Sequence, residues 1–429
     1  MSDREPTASN PGSGDLAQEA LRRGKGLRRR RQVTRWGATG SFALVLTTAM
    51  AVGIVHASSG PSLSPADGGT TSTSSTVSTS PTTSTTPPGT TTTTSPGPSI
   101  GPDGGIIPAD FQPSSFTAVS LDEWWLLGTA RCIVGSGTCG AIVRTMDGGS
   151  HFAGIPSPPA RAGDVTQLRF ASALDGYAFE PQLWQTTDGG SSWAKVATAG
   201  EVTDVEAADG EAYALACESG SCQSMELLRS PVGSGAWQKV ATPVTLGYGA
   251  QFALSGPNLY LLSGNAPPLV LLYSADKATT FTKRVDPGTP SLGGRVTAAA
   301  DGSATLWAVS PTGMMAATEL STDGGTTWHV VTPTGGFPNS QEITAASSSV
   351  ALAWPGPEVS GEAPAALART TDGGTRFSAV LSSSGRVSWA GFSDPFRAYA
   401  LVSSRSTPTT QLFESTDGGA TWQNVVIKS

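Results

Sequence analysis

Charge is scarce in this sequence: 14% of its 429 residues are Asp, Glu, Lys or Arg. Histidine is scarcer still, with only His56, His151 and His329. None of the three has a Ser or Cys partner that would suggest a nucleophilic triad, and scattered single histidines cannot build a multi-histidine metal site. No Walker-type phosphate loop or dinucleotide fingerprint occurs, so no cofactor, metal ligand or catalytic residue is assigned. Asn-x-Ser/Thr is missing, which removes the acceptor for N-linked glycans. Long runs of Leu, Ala, Glu and Lys are missing as well. What remains is rich in Gly (52), Pro (31), Ser and Thr, a composition of many short strands joined by turns.

The net charge of −7 conceals an asymmetry. Residues 1–36 carry a net +5 and the remainder carries −12. An acidic body is poorly suited to phosphate backbones, so no nucleic-acid partner is expected. Residues 37–58 are uncharged, with an apolar stretch from Phe42 to Val55. Arg28–Arg31 precede them and orient the tail to the cytoplasm. The segment reads as a transmembrane anchor, with a cleaved secretory signal as the alternative because Val55-His56-Ala57 resembles a small-residue cleavage site. Residues 59–104 are a Ser/Thr/Pro-rich stalk that cannot bury enough apolar area to fold.

From residue 105 to 429 the chain repeats itself. The words "RTMDGGSHFAGI", "QTTDGGSSWAKV", "LSTDGGTTWHVV", "RTTDGGTRFSAV" and "ESTDGGATWQNV" share an acid, two glycines and an aromatic. Asp147, Asp188, Asp276, Asp323, Asp372 and Asp417 are equivalent, and a degenerate copy places Val232 in the acid's position. The steps are 41, 44, 44, 47, 49 and 45 residues. Five positions after each acid comes an aromatic: Phe152, Trp193, Trp237, Phe281, Trp328, Phe377 and Trp422. Upstream of each turn lie short runs with strand alternation, clearest in "VTQLRFAS", "GYAFEP" and "LWQTT". About four strands in each ~45-residue repeat is the pattern of propeller blades. The expected architecture is all-β, a single seven-bladed propeller of four-stranded blades, monomeric, in which each turn clamps the third strand to the fourth and its aromatic starts the fourth.

The pattern Ser/Thr-x-Asp-x-Gly-x-Thr-Trp resembles the Asp-box, or bacterial neuraminidase repeat, over about three-quarters of the chain. The resemblance implies that the box acids sit on an outer rim with a structural role, away from any active site. Sialidases of this family imply six blades and an Arg-Ile-Pro segment; this chain has seven copies and no such segment. It is more similar to the photosystem II assembly-factor and sortilin-type branch, which implies binding rather than catalysis.

Cys132 with Cys139 and Cys217 with Cys222 each fall between the expected second and third strands of a blade. Local pairing would staple two hairpins; it is one of three connectivities. Disulfides suit an extracytoplasmic compartment. Carboxylates expected on the loop face of the ring are Asp164, Glu201, Glu218, Glu358 and Glu362. The functional expectation is a non-enzymatic, membrane-tethered scaffold for a protein or glycan partner, with a glycoside hydrolase as the alternative. For ring closure, "GGIIPADF" near residue 105 could add a strand to the last blade, or blade contact alone could suffice.

Overall fold

A computed structural model describes residues 105–132, 136–218, 222–264, 269–285, 295–312, 315–334, 342–355, 365–383, 385–404 and 409–428. The tail (1–36), the anchor or signal (37–58) and the stalk (59–104) lie outside the described residues. The described residues form seven antiparallel meanders, each with its strands in sequence order.

Blade 1 comprises Gln112–Ala118, Trp124–Arg131, Thr138–Thr145 and Ala153–Ile155. Blade 2 comprises Val165–Phe170, Gly176–Pro181, Leu183–Thr186 and Ala194–Val196. Blade 3 runs Val202–Ala208, Glu211–Cys217, Ser224–Pro231 and Gln238–Val240, with Leu246–Gly247 pairing the start of its third strand. Blade 4 is Gln251–Ser255, Asn258–Leu262, Leu271–Ser274 and Thr282–Arg284. Blade 5 is Arg295–Ala298, Leu306–Thr312, Met315–Ser321 and His329–Val331. Blade 6 is Glu342–Ala345, Ala351–Trp354, Ala365–Thr370 and Ser378–Ser383. Blade 7 is Arg386–Phe392, Ala398–Ser403, Thr410–Ser415 and Gln423–Val425. The fourth strand starts one residue later than the sequence reading supposed, because every box aromatic, Trp193 before Ala194 for example, precedes it as the last residue of the turn.

A four-stranded sheet has two faces and no core of its own. Here the alternation of side chains sends successive residues to opposite neighbours. Trp124 packs with Phe116, Trp389 and Tyr399 between blades 1 and 7, whereas Trp125 packs with Phe170 and Trp184 between blades 1 and 2. Leu352 and Trp354 face blade 7; Ala351 and Ala353 face blade 5. Among the described residues there are seven such apolar clusters, one for each junction. Fully burying a side chain of this size contributes about 1.5–3 kcal/mol, so the junctions hold the ring. Trp125 and Phe170 stack across one junction with ring centroids 4.0 Å apart, and Phe116 and Tyr399 across another at 4.4 Å.

First strands of neighbouring blades touch one another and surround the axis. Three of them carry a bulge near their start. The extra residue is Ser114, Thr203 or Ser388, and its hydroxyl donates to a carbonyl of the second strand: Leu127 at 3.3 Å, Leu215 at 3.2 Å and Leu401 at 3.1 Å. A bulge turns the residues beside it and re-aims their side chains. In blade 3 the residue so placed is Asp204.

Closure corrects one expectation. Residues from 105 onward do not extend blade 7. Gly105 pairs with Gly154 in the outer strand of blade 1, exchanging N–H···O bonds of 3.1 and 2.9 Å. A Cβ on Gly105 would sit 2.6 Å from the Gly154 carbonyl oxygen, so only glycine allows the approach. Blade 7 meets blade 1 through the Trp389–Tyr399–Phe116 cluster, through Thr410 N–H donating to Gln112 Oε1 at 2.7 Å, and through Phe152 N–H donating to the Lys428 carbonyl at 2.8 Å.

Candidate functional site

The third-to-fourth-strand turns lie at one end of the blades. Each acid is consumed within its own turn. Asp188 Oδ1 accepts from Thr186 Oγ1 at 2.7 Å and from Ser192 N–H at 2.8 Å, while Oδ2 takes Ser192 Oγ at 2.6 Å. Asp323 does the same with Ser321 and Thr327, and Asp417 with Ser415 and Thr421. Asp276 uses Ser274 and Thr280; Asp372 uses Thr370 and Arg376 N–H. Asp147 accepts from Thr145 and His151 N–H, with His151 Nδ1 2.7 Å from Oδ2. The Ser or Thr two positions before the acid then accepts the N–H of the second glycine, as from Gly190 at 2.9 Å. Donors aimed at a carboxylate favour its charged form. Hydrogen bonds from His151 hold Asp147 down to about 2, and those from Thr280 and Thr327 do so for Asp276 and Asp323. Asp417 also falls to about 2, the donors from Thr421 and Ser415 outweighing the desolvation that opposes them; Asp188 and Asp372 are lowered.

The same turns join blades. The second glycine is left-handed, and its missing Cβ is the space into which the neighbour fits: a Cβ on Gly190 would lie 2.7 Å from Ile155 Cδ1 of blade 1. Trp193 Nε1 donates to the Pro156 carbonyl of blade 1, and Trp328 Nε1 to the Val285 carbonyl of blade 4, both at 2.9 Å. Arg369 Nε donates to the Gly418 carbonyl of the next turn at 2.7 Å, and Arg229 to the Lys277 carbonyl. Phe152 is buried; Phe281, Phe377 and Trp422 are half-buried. In the degenerate turn, Ser230 and Ser234 hydroxyls replace the carboxylate's contacts, 3.1 Å apart. There Trp237 still meets Tyr177 edge to face, but its indole N–H has no partner among the described residues. A groove of about 540 Å³ runs beside it, lined by Trp193, Lys195 and Gln185 among others.

The other end of the blades carries the second-to-third-strand hairpins and the starts of the first strands. Disulfides Cys132–Cys139 and Cys217–Cys222 each tie a second strand to its third. Of the five loop acids, Glu358 and Glu362 lie outside the described residues. Glu218 is exposed and pairs with Lys239 at 2.7 Å; Glu201 is exposed, 3.9 Å from Cys222 Sγ. Asp164 is half-buried and takes the Arg161 N–H at 3.3 Å. Asp164, Glu201 and Glu218 are each held in a local contact, and among the described residues no hydrogen bond or ion pair joins one to another.

What is brought together is a group that the sequence reading did not single out. It lines the axis on first strands. Arg169 of blade 2 reaches Glu206 of blade 3 at 2.7 Å, and Arg295 of blade 5 reaches Glu342 of blade 6 at 3.4 Å. Asp204, one side-chain repeat before Glu206, feels both arginines. Glu180, next to last in the second strand of blade 2 and joined to Pro181 by a cis bond, accepts from Thr166 Oγ1 at 2.6 Å and feels Asp204 and Arg295. Glu206 is 1% exposed, and Glu342, Arg169 and Asp204 are buried. Burial penalises the charged form and pushes Glu180 and Glu342 up to about 7. Asp204 and Glu206 are also raised by burial, Glu206 further by the Asp204 charge, with Arg169 opposing both and Arg295 opposing at Asp204. The available signal was a charged residue inside an otherwise apolar strand, as in "VTDVEAA" and "EITA". Among the described residues no three His, Cys, Asp or Glu side chains are placed to hold a metal ion.

No family model matches the chain, and no curated protein matches it in sequence. Solved propellers do match in structure. A structure titled "YCF48 bound to D1 peptide" shares 16% identity, covering 73% of this chain and 95% of that one, with a TM-score of 0.50. The β-propeller domain of the Trilobed protease from Pyrococcus furiosus, described as having an open velcro topology, shares 8% identity over 74% of this chain and 96% of that one, with a TM-score of 0.54. A puromycin-hydrolyzing peptidase of Mycobacterium tuberculosis shares 12% identity over 75% of this chain and 56% of its own, with a TM-score of 0.51. At such identities the likeness is one of fold.

Proposed function

We propose that this propeller is a binding scaffold, held outside the cell membrane by residues 37–58, that grips a segment of a protein or glycan partner at the axial end where its first strands begin. The observation that carries the reading is the buried charged cluster on those strands. Polar groups collected from four blades and only partly paired are costly to fold, and such costs persist where a ligand uses them. The turn acids support the same reading from the other side. They resemble the Asp-box in sequence, and their oxygens are occupied within the turn. The YCF48 structure, by its title, holds a D1 peptide, which makes a protein segment the first partner to test. Paired cysteines suit the extracytoplasmic side.

One observation favours the alternative, a glycoside hydrolase. Glu180, raised to about 7 beside Asp204, has the protonation of a general acid. Two experiments divide the readings. Selection of a random displayed-peptide library on the full chain should enrich peptides whose binding is weakened in Glu342→Gln; no enrichment would end the scaffold reading for protein partners. A panel of aryl glycosides should show no turnover, and turnover abolished by Glu180→Gln would establish the hydrolase instead.

A further inference from the structure

We propose that the axial cluster is a binding site for an alkylammonium group, such as the tip of a lysine side chain of the partner. The inference rests on the scaffold reading and names the chemistry it recognises. Within the cluster the acids outnumber the bases: Glu180, Asp204, Glu206 and Glu342 face Arg169 and Arg295. Each arginine is already committed, Arg169 to Glu206 and Arg295 to Glu342. Neither Glu180 nor Asp204 has an ion pair of its own among the described residues. Glu206 Oε2, on a side chain 1% exposed, has no hydrogen-bond partner there either. The site therefore lacks a cation rather than an anion. The acids are not placed for a metal ion, which needs three or more oxygens drawn in close. An ammonium group carries three N–H donors that spread over wider-set acceptors. Half-buried Glu180 and Arg295 mark the approach, and the butyl stem of a lysine would trail toward them.

The test is calorimetric titration of the full chain with two probes. One is cadaverine, a free diamine. The other is a short peptide with one central lysine, compared with the same peptide bearing norleucine. Binding of the lysine peptide, with none of its norleucine counterpart, is expected. Glu206→Gln and Asp204→Asn should each weaken it about tenfold or more, since each removes a charge the ammonium meets. Asp122→Asn, an exposed acid elsewhere, should leave it unchanged. Because protons compete for raised carboxylates, wild-type affinity should fall about tenfold from about pH 8.5 to about pH 6. This readout does not depend on any variant folding, and thermal unfolding without probe checks that both variants do fold. Binding of cadaverine alone would keep the ammonium site but assign it to a free diamine. Equal binding of the norleucine peptide, or unchanged binding in both variants, would overturn the inference and leave the scaffold reading standing. Binding of neither probe would overturn it as well, while peptides selected from the library would still show a scaffold.

Discussion

The molecule holds two sets of acids under opposite regimes. At the turns, Asp147, Asp276, Asp323 and Asp417 lie near solvent, yet each is held at about 2 because hydrogen-bond donors converge on it. At the axis, Glu180 and Glu342 rise to about 7 because burial outweighs their partners. Exposure and pairing act separately, and the number of donors per carboxylate decides which wins. The consequence for stability has two signs. A lowered carboxylate stabilises the fold above its unfolded pKa, and that contribution is lost as pH falls toward about 2. A raised carboxylate contributes stability that is full below about pH 4.5 and is lost as pH rises through about 7. The protein should therefore be most stable near about pH 4, where both contributions are close to full, and should lose stability as pH rises from about 4.5 through about 7, measured as thermal midpoint against pH.

The sharpest way to break this contrast is to remove the axial base. Arg169→Met should cost about 3–5 kcal/mol at about pH 8, where Glu206 and Asp204 then lack their nearest positive charge, and distinctly less at about pH 5, where both are protonated. An equal loss at both pH values in urea unfolding would mean that the arginine acts by packing alone. At the rim, Gly149→Ala should cost about 2–4 kcal/mol at any pH. Its Cβ would lie 2.5 Å from Trp124 Cζ3 at φ 83°. Asp417→Asn should cost about 1 kcal/mol near neutrality. That difference should vanish as the wild-type acid titrates toward about 2. The smallest effect belongs to the fourth turn, where Lys277 (φ 58°) and Ala278 (φ 59°) occupy left-handed positions. Ala278→Gly relieves about 1 kcal/mol of backbone strain and forfeits about 0.8 kcal/mol of methyl burial, so its thermal midpoint should barely move.

The difference between rim and axis also governs which features are legible in the sequence. The turns are local. Acid, hydroxyl, glycines and aromatic fall within eight residues, so repetition exposed them, and blade 2 follows "VTQLRF", "GYAFEP" and "LWQT" strand for strand. The axial cluster is assembled from residues as far apart as Arg169 and Glu342, whose meeting depends on how seven sheets circle one line. Strand periodicity tells which face a residue takes, not which blade lies across the axis from it. Loop acids such as Glu218 stand where ligands often bind, yet Glu218 is occupied by Lys239. Closure was illegible for a related reason: a single Gly–Gly approach between residues 105 and 154 has no pattern in the chain.

That approach has a further implication. Gly105 and the Lys428 carbonyl meet positions 154 and 152 of the same blade, so the first and last described stretches of the chain come to neighbouring places. A few glycines could bridge them, and the polypeptide could be opened instead at the exposed Asp209–Gly210 turn without losing a strand. Which blade comes first is then an accident of gene order rather than a requirement of the ring.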